Sequence, residues 1–298
     1  MKILMTGSSG FVGGALCAAL LADGHEIIGL GFHPQEIASD RFQFIRTDTT
    51  RPGDWQQAGA DADAVINLAG ANIFKRWTDT YRQAIYDSRI LTTRNLVAAL
   101  PSGKKTVFCS TSAAGYYGDR GDTLLDETAS PGDDFLARVC VDWEKEALAA
   151  EAKGARVALT RFGVVMDKTG GALAKMLPAY RLGLGGKMGS GRQWFPWIHL
   201  TDLIAAMRFV LTHETIRGPV NFCAPQAVTN KEFSDALAAA VRRPAFFTVP
   251  SLALRLAAGE LGSLVLNSQR VVPNKLLSSG FVFRYPDIHG ALKASLTG

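Results

Sequence analysis

The first thirteen residues constrain this chain more than any other stretch. An apolar segment, Ile3-Leu4-Met5, runs into Thr6-Gly7-Ser8-Ser9-Gly10-Phe11-Val12-Gly13, a T-G-x-x-G-x-x-G turn followed by a helical pattern. Each glycine has its own reason to be there. Gly7 lets the chain leave a strand in a tight turn. Gly10 lets the backbone approach a pyrophosphate with no Cβ in the way, and Gly13 lets the helix pack closely on a sheet. The helix N-terminus then presents unpaired N–H groups and the positive end of its dipole to phosphate oxygens. Strand, turn and helix in this order read as the opening of a dinucleotide-binding βαβ unit.

The alternation that such a unit needs continues downstream. Short apolar runs predict strands at 2–5, 26–30, 42–46, 64–68, 106–110 and 156–161, and longer periodic stretches predict helices at 11–22, 78–100 and 135–152. This is the pattern of an α/β protein with a doubly wound parallel sheet. Beyond Arg161 the character changes, with glycines at 170, 171, 183, 185, 186, 189 and 191. A helix is expected over 172–182 with Pro178 inside it, then a strand at 197–199, a helix from Thr201 as N-cap to Leu211, and a strand at 219–222. Short helices punctuated by prolines should fill 223–298. The expected division is a Rossmann-like dinucleotide-binding domain, 1–222, carrying a cap insertion at about 168–196, and a smaller C-terminal substrate cap, 223–298.

Composition narrows the function classes. With 47% hydrophobic and 20% charged residues in 298, the chain can bury a sizeable core. Its net charge of +5 favours anionic small molecules, but no basic run or basic-aromatic stacking motif points to nucleic acid. Cys17, Cys109, Cys140 and Cys223 form no C-x-x-C pair and read as free thiols of a reducing compartment. The five histidines have no metal-ligand spacing, so no metal is expected. No leader pattern and no apolar run of membrane-spanning length occurs, so a cytoplasmic protein without a membrane partner is the expectation. The oligomeric state stays open.

Six further stretches carry a resemblance. Asn67-Leu68-Ala69-Gly70 and Ser110-Thr111-Ser112-Ala113-Ala114-Gly115-Tyr116-Tyr117-Gly118, together with the N-terminal turn, resemble the extended short-chain dehydrogenase/reductase superfamily. Tyr180-Arg181-Leu182-Gly183-Leu184-Gly185-Gly186, Gly189-Ser190-Gly191-Arg192-Gln193 and Phe195-Pro196-Trp197-Ile198-His199 are similar to its "epimerase family protein" subgroup, and 249–292 is similar to that subgroup's small terminal domain. The resemblance covers essentially the whole chain. It implies a Rossmann core, bound NADP(H) and a substrate cap, and names no substrate.

The superfamily's residues carry over unevenly. Its Y-x-x-x-K pair, a proton-carrying tyrosine and a lysine that lowers its pKa, falls on Phe135 and Val139, with Arg138 one residue out of register. Ser112 matches the catalytic serine. Tyr116 and Tyr117 remain as proton carriers, or as rings that simply pack; His199 is a more remote candidate. The superfamily's helix asparagine is replaced by Arg89, which reads either as a phosphate or ribose contact or as a solvated helix charge. The second strand ends in Gly31-Phe32-His33, with no carboxylate to bind a ribose 2′-hydroxyl and repel a 2′-phosphate. NADP(H) is therefore favoured, with NAD(H) as the alternative. The usual arginine is missing at Phe32, and His33 or Arg41 are its candidate substitutes. Asp48 matches a position that contacts the adenine amino group. Thr6, Gly7, Ser9, Gly10, Phe11, Val12, Phe32, His33, Leu68, Ala69, Gly70 and Ser110 complete the expected cofactor set.

Between 153 and 192 stand eight basic residues and one acidic residue, Asp167. Such a run is a solvated face or the partner of a phosphate or carboxylate. Arg181, Arg192, Trp194 and His199 are the expected substrate contacts. Two functions stay in view. One is an NADP(H)-dependent oxidoreductase or epimerase-like enzyme on a small anionic substrate. The other is a non-catalytic dinucleotide-binding sensor or scaffold that has lost the Y-x-x-x-K pair.

Overall fold

The computed structural model describes residues 1–297. In chain order the elements are β1 Lys2–Thr6, α1 Phe11–Ala22, β2 Glu26–Gly31, β3 Phe42–Arg46, β4 Ala64–Asn67, α2 Asp79–Ala99, β5 Val107–Ala113, β6 Leu124–Leu125, α3 Phe135–Leu148, β7 Arg156–Phe162, β8 Val164–Asp167, α4 Gly171–Arg181, β9 Gly186–Met188, β10 Trp194–Phe195, β11 Trp197–His199, α5 Leu200–Thr212 and β12 Gly218–Phe222. The remainder comprises β13 Val228–Thr229, α6 Asn230–Val241, β14 Phe247–Val249, α7 Ser251–Ala258, α8 Glu260–Leu264, β15 Arg270–Val271, α9 Asn274–Ser278 and α10 Ile288–Thr297.

Seven strands form one sheet in the order β12-β7-β5-β4-β1-β2-β3, and every neighbouring pair is parallel. Strand residues alternate between two faces, and both faces are apolar, as a sheet covered on both sides requires. Ile3, Met5, Ile27, Ile66, Cys109, Ala158 and Val220 meet Leu16 and Leu20 of α1 and Leu203, Met207 and Val210 of α5. Leu4, Ile28, Leu30, Val65, Phe108, Val157 and Leu159 meet Leu96 and Val97 of α2 and Ala147 of α3. Strand order reverses between β1 and β4, so a crevice opens at their carboxyl ends, where ligands bind in sheets of this kind.

The glycine-rich segment and the C-terminal third build one small lobe together. Met166, Leu173, Leu177 and Trp197 share a core with Phe233, Leu237, Ala291 and Leu292. The C-terminal third is not a detached piece either, because Leu276, Phe281 and Phe283 pack in the same core as Ile3 and Phe222.

Several local expectations needed adjustment: α3 ends at Leu148, short of the expected 152, and 223–298 holds the short strands β13, β14 and β15 besides its helices. β5 runs on to Ala113, beyond the expected end at 110. The N-cap of α5 is His199, not Thr201: the His199 Nδ1 accepts from the Thr201 amide at 3.1 Å. No described helix is long and apolar enough to cross a membrane, and no described cluster of side chains could hold a metal ion.

Candidate functional site

The turn after β1 is built as its glycines suggest, with one change of reason. Gly7 has φ +69°, the left-handed region, and a Cβ there would lie 3.0 Å from the Leu68 carbonyl. A Cβ on Gly13 would fall 2.0 Å from the Gly7 carbonyl oxygen. Gly13 is thus required by the turn's own backbone, which α1 overlies directly, more than by the sheet. Gly10 is the N-cap of α1 and makes no side-chain capping bond. The first-turn amides therefore have no side-chain acceptor, which suits them to phosphate oxygens. Ser9 and Gly10 are exposed, and Phe11 and Val12 are half-buried.

Thr6 locks this turn to the end of β4. Its Oγ1 donates to Asn67 Oδ1 at 2.8 Å and accepts from the amides of Leu68 and Ala69, both at 3.2 Å. Asn67 Nδ2 donates to Thr93 Oγ1 at 2.8 Å and to Ser110 Oγ at 3.4 Å. Thr6, Gly7, Leu68, Ala69 and Ser110 are thereby brought together, with Asn67 as the hub. Thr6 and Ser110 are buried and hold the loops.

Arg89 is neither a solvated charge nor a free one. Its guanidinium donates to the carbonyls of Ile85 at 3.0 Å and Ala71 at 3.2 Å, and lies against Gly70, where a Cβ would be 2.9 Å from Arg89 Cζ. Burial pushes its pKa down, with only weak opposing effects from Cys140 and Tyr81. It supports the loop after β4 from below. Of the outer cofactor residues, Phe32 is 58% exposed. Asp48 accepts from the Thr50 amide and hydroxyl and sits 3.7 Å from Arg51. Arg41 does not substitute for a clamp near Phe32 and His33. It precedes β3 and stands beside Gly24, at the opposite end of the sheet from the glycine turn.

At the end of β5 the serine and the two tyrosines part company. Ser112 is buried, and its Oγ donates to Glu144 Oε1 at 2.7 Å. Glu144 also holds Arg161 through two bonds, Nε to Oε1 and Nη2 to Oε2, each 2.8 Å. Burial works against the Arg161 charge, but the Glu144 carboxylate outweighs it and holds the pKa above its ordinary value. Tyr117 is fully buried; its hydroxyl donates to Asn221 Oδ1 at 2.7 Å and accepts from Arg161 Nη1 at 3.0 Å. Burial pushes the Tyr117 pKa up to about 12, with Arg161 and Asn221 opposing. Tyr117 is thus a core residue. Tyr116 is half-buried, and the Arg161 guanidinium lies 3.4 Å from its ring centroid. The sequence showed no cation beside Tyr116; the fold supplies one from β7. Phe135 packs edge-on to Trp77, ring centroids 5.4 Å apart, and Val139 is buried.

The expected substrate residues scatter. Arg181 and Arg192 are exposed and have no side-chain partner among the described residues. His199 is 4% exposed; its Nδ1 caps α5, its ring lies against Tyr285, and burial lowers its pKa. Its Nε2 is buried without a hydrogen-bond partner among the described residues. Trp194 is half-buried and donates from Nε1 to Asp122 at 2.8 Å. Above it, 4.4 Å from the ring, lies Arg270, whose Nε is buried without a hydrogen-bond partner. The basic run between 153 and 192 dissolves in part. Lys153 donates to the carbonyls of Ala98 and Leu100, Arg156 to those of Val210, Leu211 and Ile216, and Arg161 pairs with Glu144. Glu144 and Arg270 carry no signal in the sequence because each looks locally like an ordinary helix or strand residue.

The chain is similar to known proteins along nearly its whole length. Residues 3–222 match the NAD dependent epimerase/dehydratase family, and residues 249–295 match a domain of unknown function, DUF1731. An epimerase family protein of Mycobacterium bovis is 39% identical over 297 residues, covering 99% of this chain and 97% of that protein. One from Staphylococcus saprophyticus is 40% identical over 294 residues, covering 97% of each. A crystal structure of a human epimerase family protein with NADPH has a TM-score of 0.87 at 32% identity and covers 100% of both chains.

Proposed function

Because this chain belongs to the NAD dependent epimerase/dehydratase family, we infer that it is an NADP(H)-dependent oxidoreductase or epimerase-like enzyme acting on a small anionic substrate. The turn from Gly7 to Gly13 and the loop Leu68–Gly70 would hold the dinucleotide. The α1 N-terminus would face its pyrophosphate, and Arg89 would stiffen the floor at Gly70. When bound, NADP(H) supplies or accepts hydride. The chain must then move a proton at the substrate oxygen.

The observation that carries this reading is the pairing of Tyr116 with Arg161. A cation over the ring face fixes the ring's orientation, and Glu144 fixes the cation. Tyr116 is the proton carrier in this proposal. Ser112 acts through Glu144 as a positioning residue, since its hydroxyl is committed inward. Arg270, a guanidinium without a hydrogen-bond partner among the described residues, is the substrate's anion contact, with Trp194 as the surface beneath it.

Tyr116→Phe tests the proton route. With a substrate found by following NADPH absorbance across anionic carbonyl and hydroxy compounds, kcat should fall by about 100-fold or more. The Kd for NADPH should stay unchanged. Wild-type turnover in the variant would refute the role of Tyr116. Tight NADPH binding with no turnover on any compound would favour the sensor or scaffold.

A further inference from the structure

The second strand of this chain has neither the carboxylate that would select NAD(H) nor, at Phe32, a cation that would hold a 2′-phosphate. The parallel register of β2 and β3 places Arg46 directly beside Gly31. Cross-strand partners point to the same face of a sheet, so Gly29 and Gly31 share a face with Phe44 and Arg46. It is the face of the glycine turn: a Cβ on Gly29 would lie 2.5 Å from Ser8 Oγ and 3.1 Å from Phe44 Cδ2. Ser8 Oγ is buried and has no hydrogen-bond partner. Gly31 has no side chain to stand between Arg46 and that turn.

Arg46 is exposed at the edge of the sheet, since β3 is the last strand. It has no ion pair and no side-chain hydrogen bond among the described residues. Of the other charged candidates, two are ruled out by position or partner. Asp48 is engaged by Thr50 and Arg51, and Arg41 stands at the other end of the strand beside Gly24. We propose that Arg46 is the specificity residue of this protein for a ribose 2′-phosphate, a clamp moved from the end of β2 to the facing position on β3. The proposal rests on the reading of the glycine turn as a dinucleotide site. A planar guanidinium matches two oxygens of a phosphate at once, which a 2′-hydroxyl cannot offer.

Fluorescence titration of the full chain with NADPH and with NADH tests this. Arg46→Ala should raise the Kd for NADPH by about tenfold or more, the scale of a charge-assisted contact, and leave the Kd for NADH unchanged. The loss should shrink at high salt, because the site is exposed. Adding Phe32→Arg to Arg46→Ala should restore NADPH affinity, since the two positions serve one phosphate from neighbouring strands. If wild type prefers NADPH but Arg46→Ala weakens both cofactors equally, or neither, the clamp is refuted and the cofactor reading stands. If wild type binds neither cofactor, or NADH more tightly, the cofactor reading fails and the clamp with it.

Discussion

Arg161 and Glu144 are 2% and 8% exposed at the side chain, and a buried charge is tolerable only when it is paired and hydrogen-bonded. Here all the geometry is used. Glu144 accepts two bonds from Arg161 and one from Ser112, and Arg161 also donates to Tyr117. This arrangement commits the Ser112 hydroxyl inward and leaves Tyr116 half-buried over a fixed cation. His199 shows the same logic with a neutral group. Desolvation holds its pKa below the ordinary 6.5, while Asp202 and Asp167 pull it up and Arg284 pushes it down. As pH falls below about 6.5, the unfolded chain takes up a proton that the native imidazole resists. The stability present above that pH is lost progressively until the folded pKa is passed. His199→Asn keeps an acceptor for the Thr201 amide and removes the titration. Thermal melts between about pH 7 and about pH 5 should show a shallower fall in Tm for His199→Asn than for wild type. Parallel slopes would refute this account.

At the scale of the element, α1 and the turn before it behave as one piece. Gly13 and Gly14 are adjacent, yet their surroundings differ. A Cβ on Gly13 would stand 2.0 Å from the Gly7 carbonyl oxygen, whereas on Gly14 it would meet nothing closer than the Ser8 carbonyl oxygen at 3.8 Å. Neither backbone segment in the first case can move aside like a flexible side chain. Gly13→Ala should therefore destabilise by about 1–3 kcal/mol or more, as overpacking does, and weaken NADPH binding with it. Gly14→Ala should gain helix propensity of up to about 1 kcal/mol and leave binding intact. Melts and NADPH titrations on both variants check the contrast. A further link joins this element to the small lobe. Gly170 lies where a Cβ would be 2.3 Å from the Phe11 ring, so the ring at the start of α1 packs flush on the segment entering α4.

The whole molecule folds around shared cores rather than separable pieces. Phe281 and Phe283 from the C-terminal third complete the cluster that holds β1, and Val271 packs with Tyr117 beneath Tyr116. The segment from Asn267 to Gln269 is stitched to the stretch after β5. Asn267 donates to Asp134, Ser268 donates from its amide to Asp119 and from its hydroxyl to Gly121, and Gln269 donates to the Gly118 carbonyl. A chain ended at residue 248 would expose the apolar faces these residues cover. It should fail to give a soluble protein with a cooperative thermal transition, while the full chain melts in one step by circular dichroism. A truncated chain that melts cooperatively would show the C-terminal third to be an independent unit.

The parallel α/β sheet, the cofactor turn and the absence of a carboxylate at Gly31-Phe32-His33 were legible in the amino-acid sequence, while the departures at Phe135 and Val139 showed only against the resembled family. The elements and the turn are local. A turn, a strand or a helix depends on residues a few positions apart, and such spacing is visible in one dimension. The pairing of Glu144 with Arg161, the placing of Arg46 beside Gly31, the seat of Arg270 on Trp194 and the packing of Phe11 on Gly170 are not local. They depend on strand order, on register and on which helix face turns inward. One residue of slip in a strand reverses every side chain on it, so these contacts exist only once the sheet has closed. Tertiary structure therefore decided which of the basic and hydroxyl side chains are buried and paired and which stay exposed.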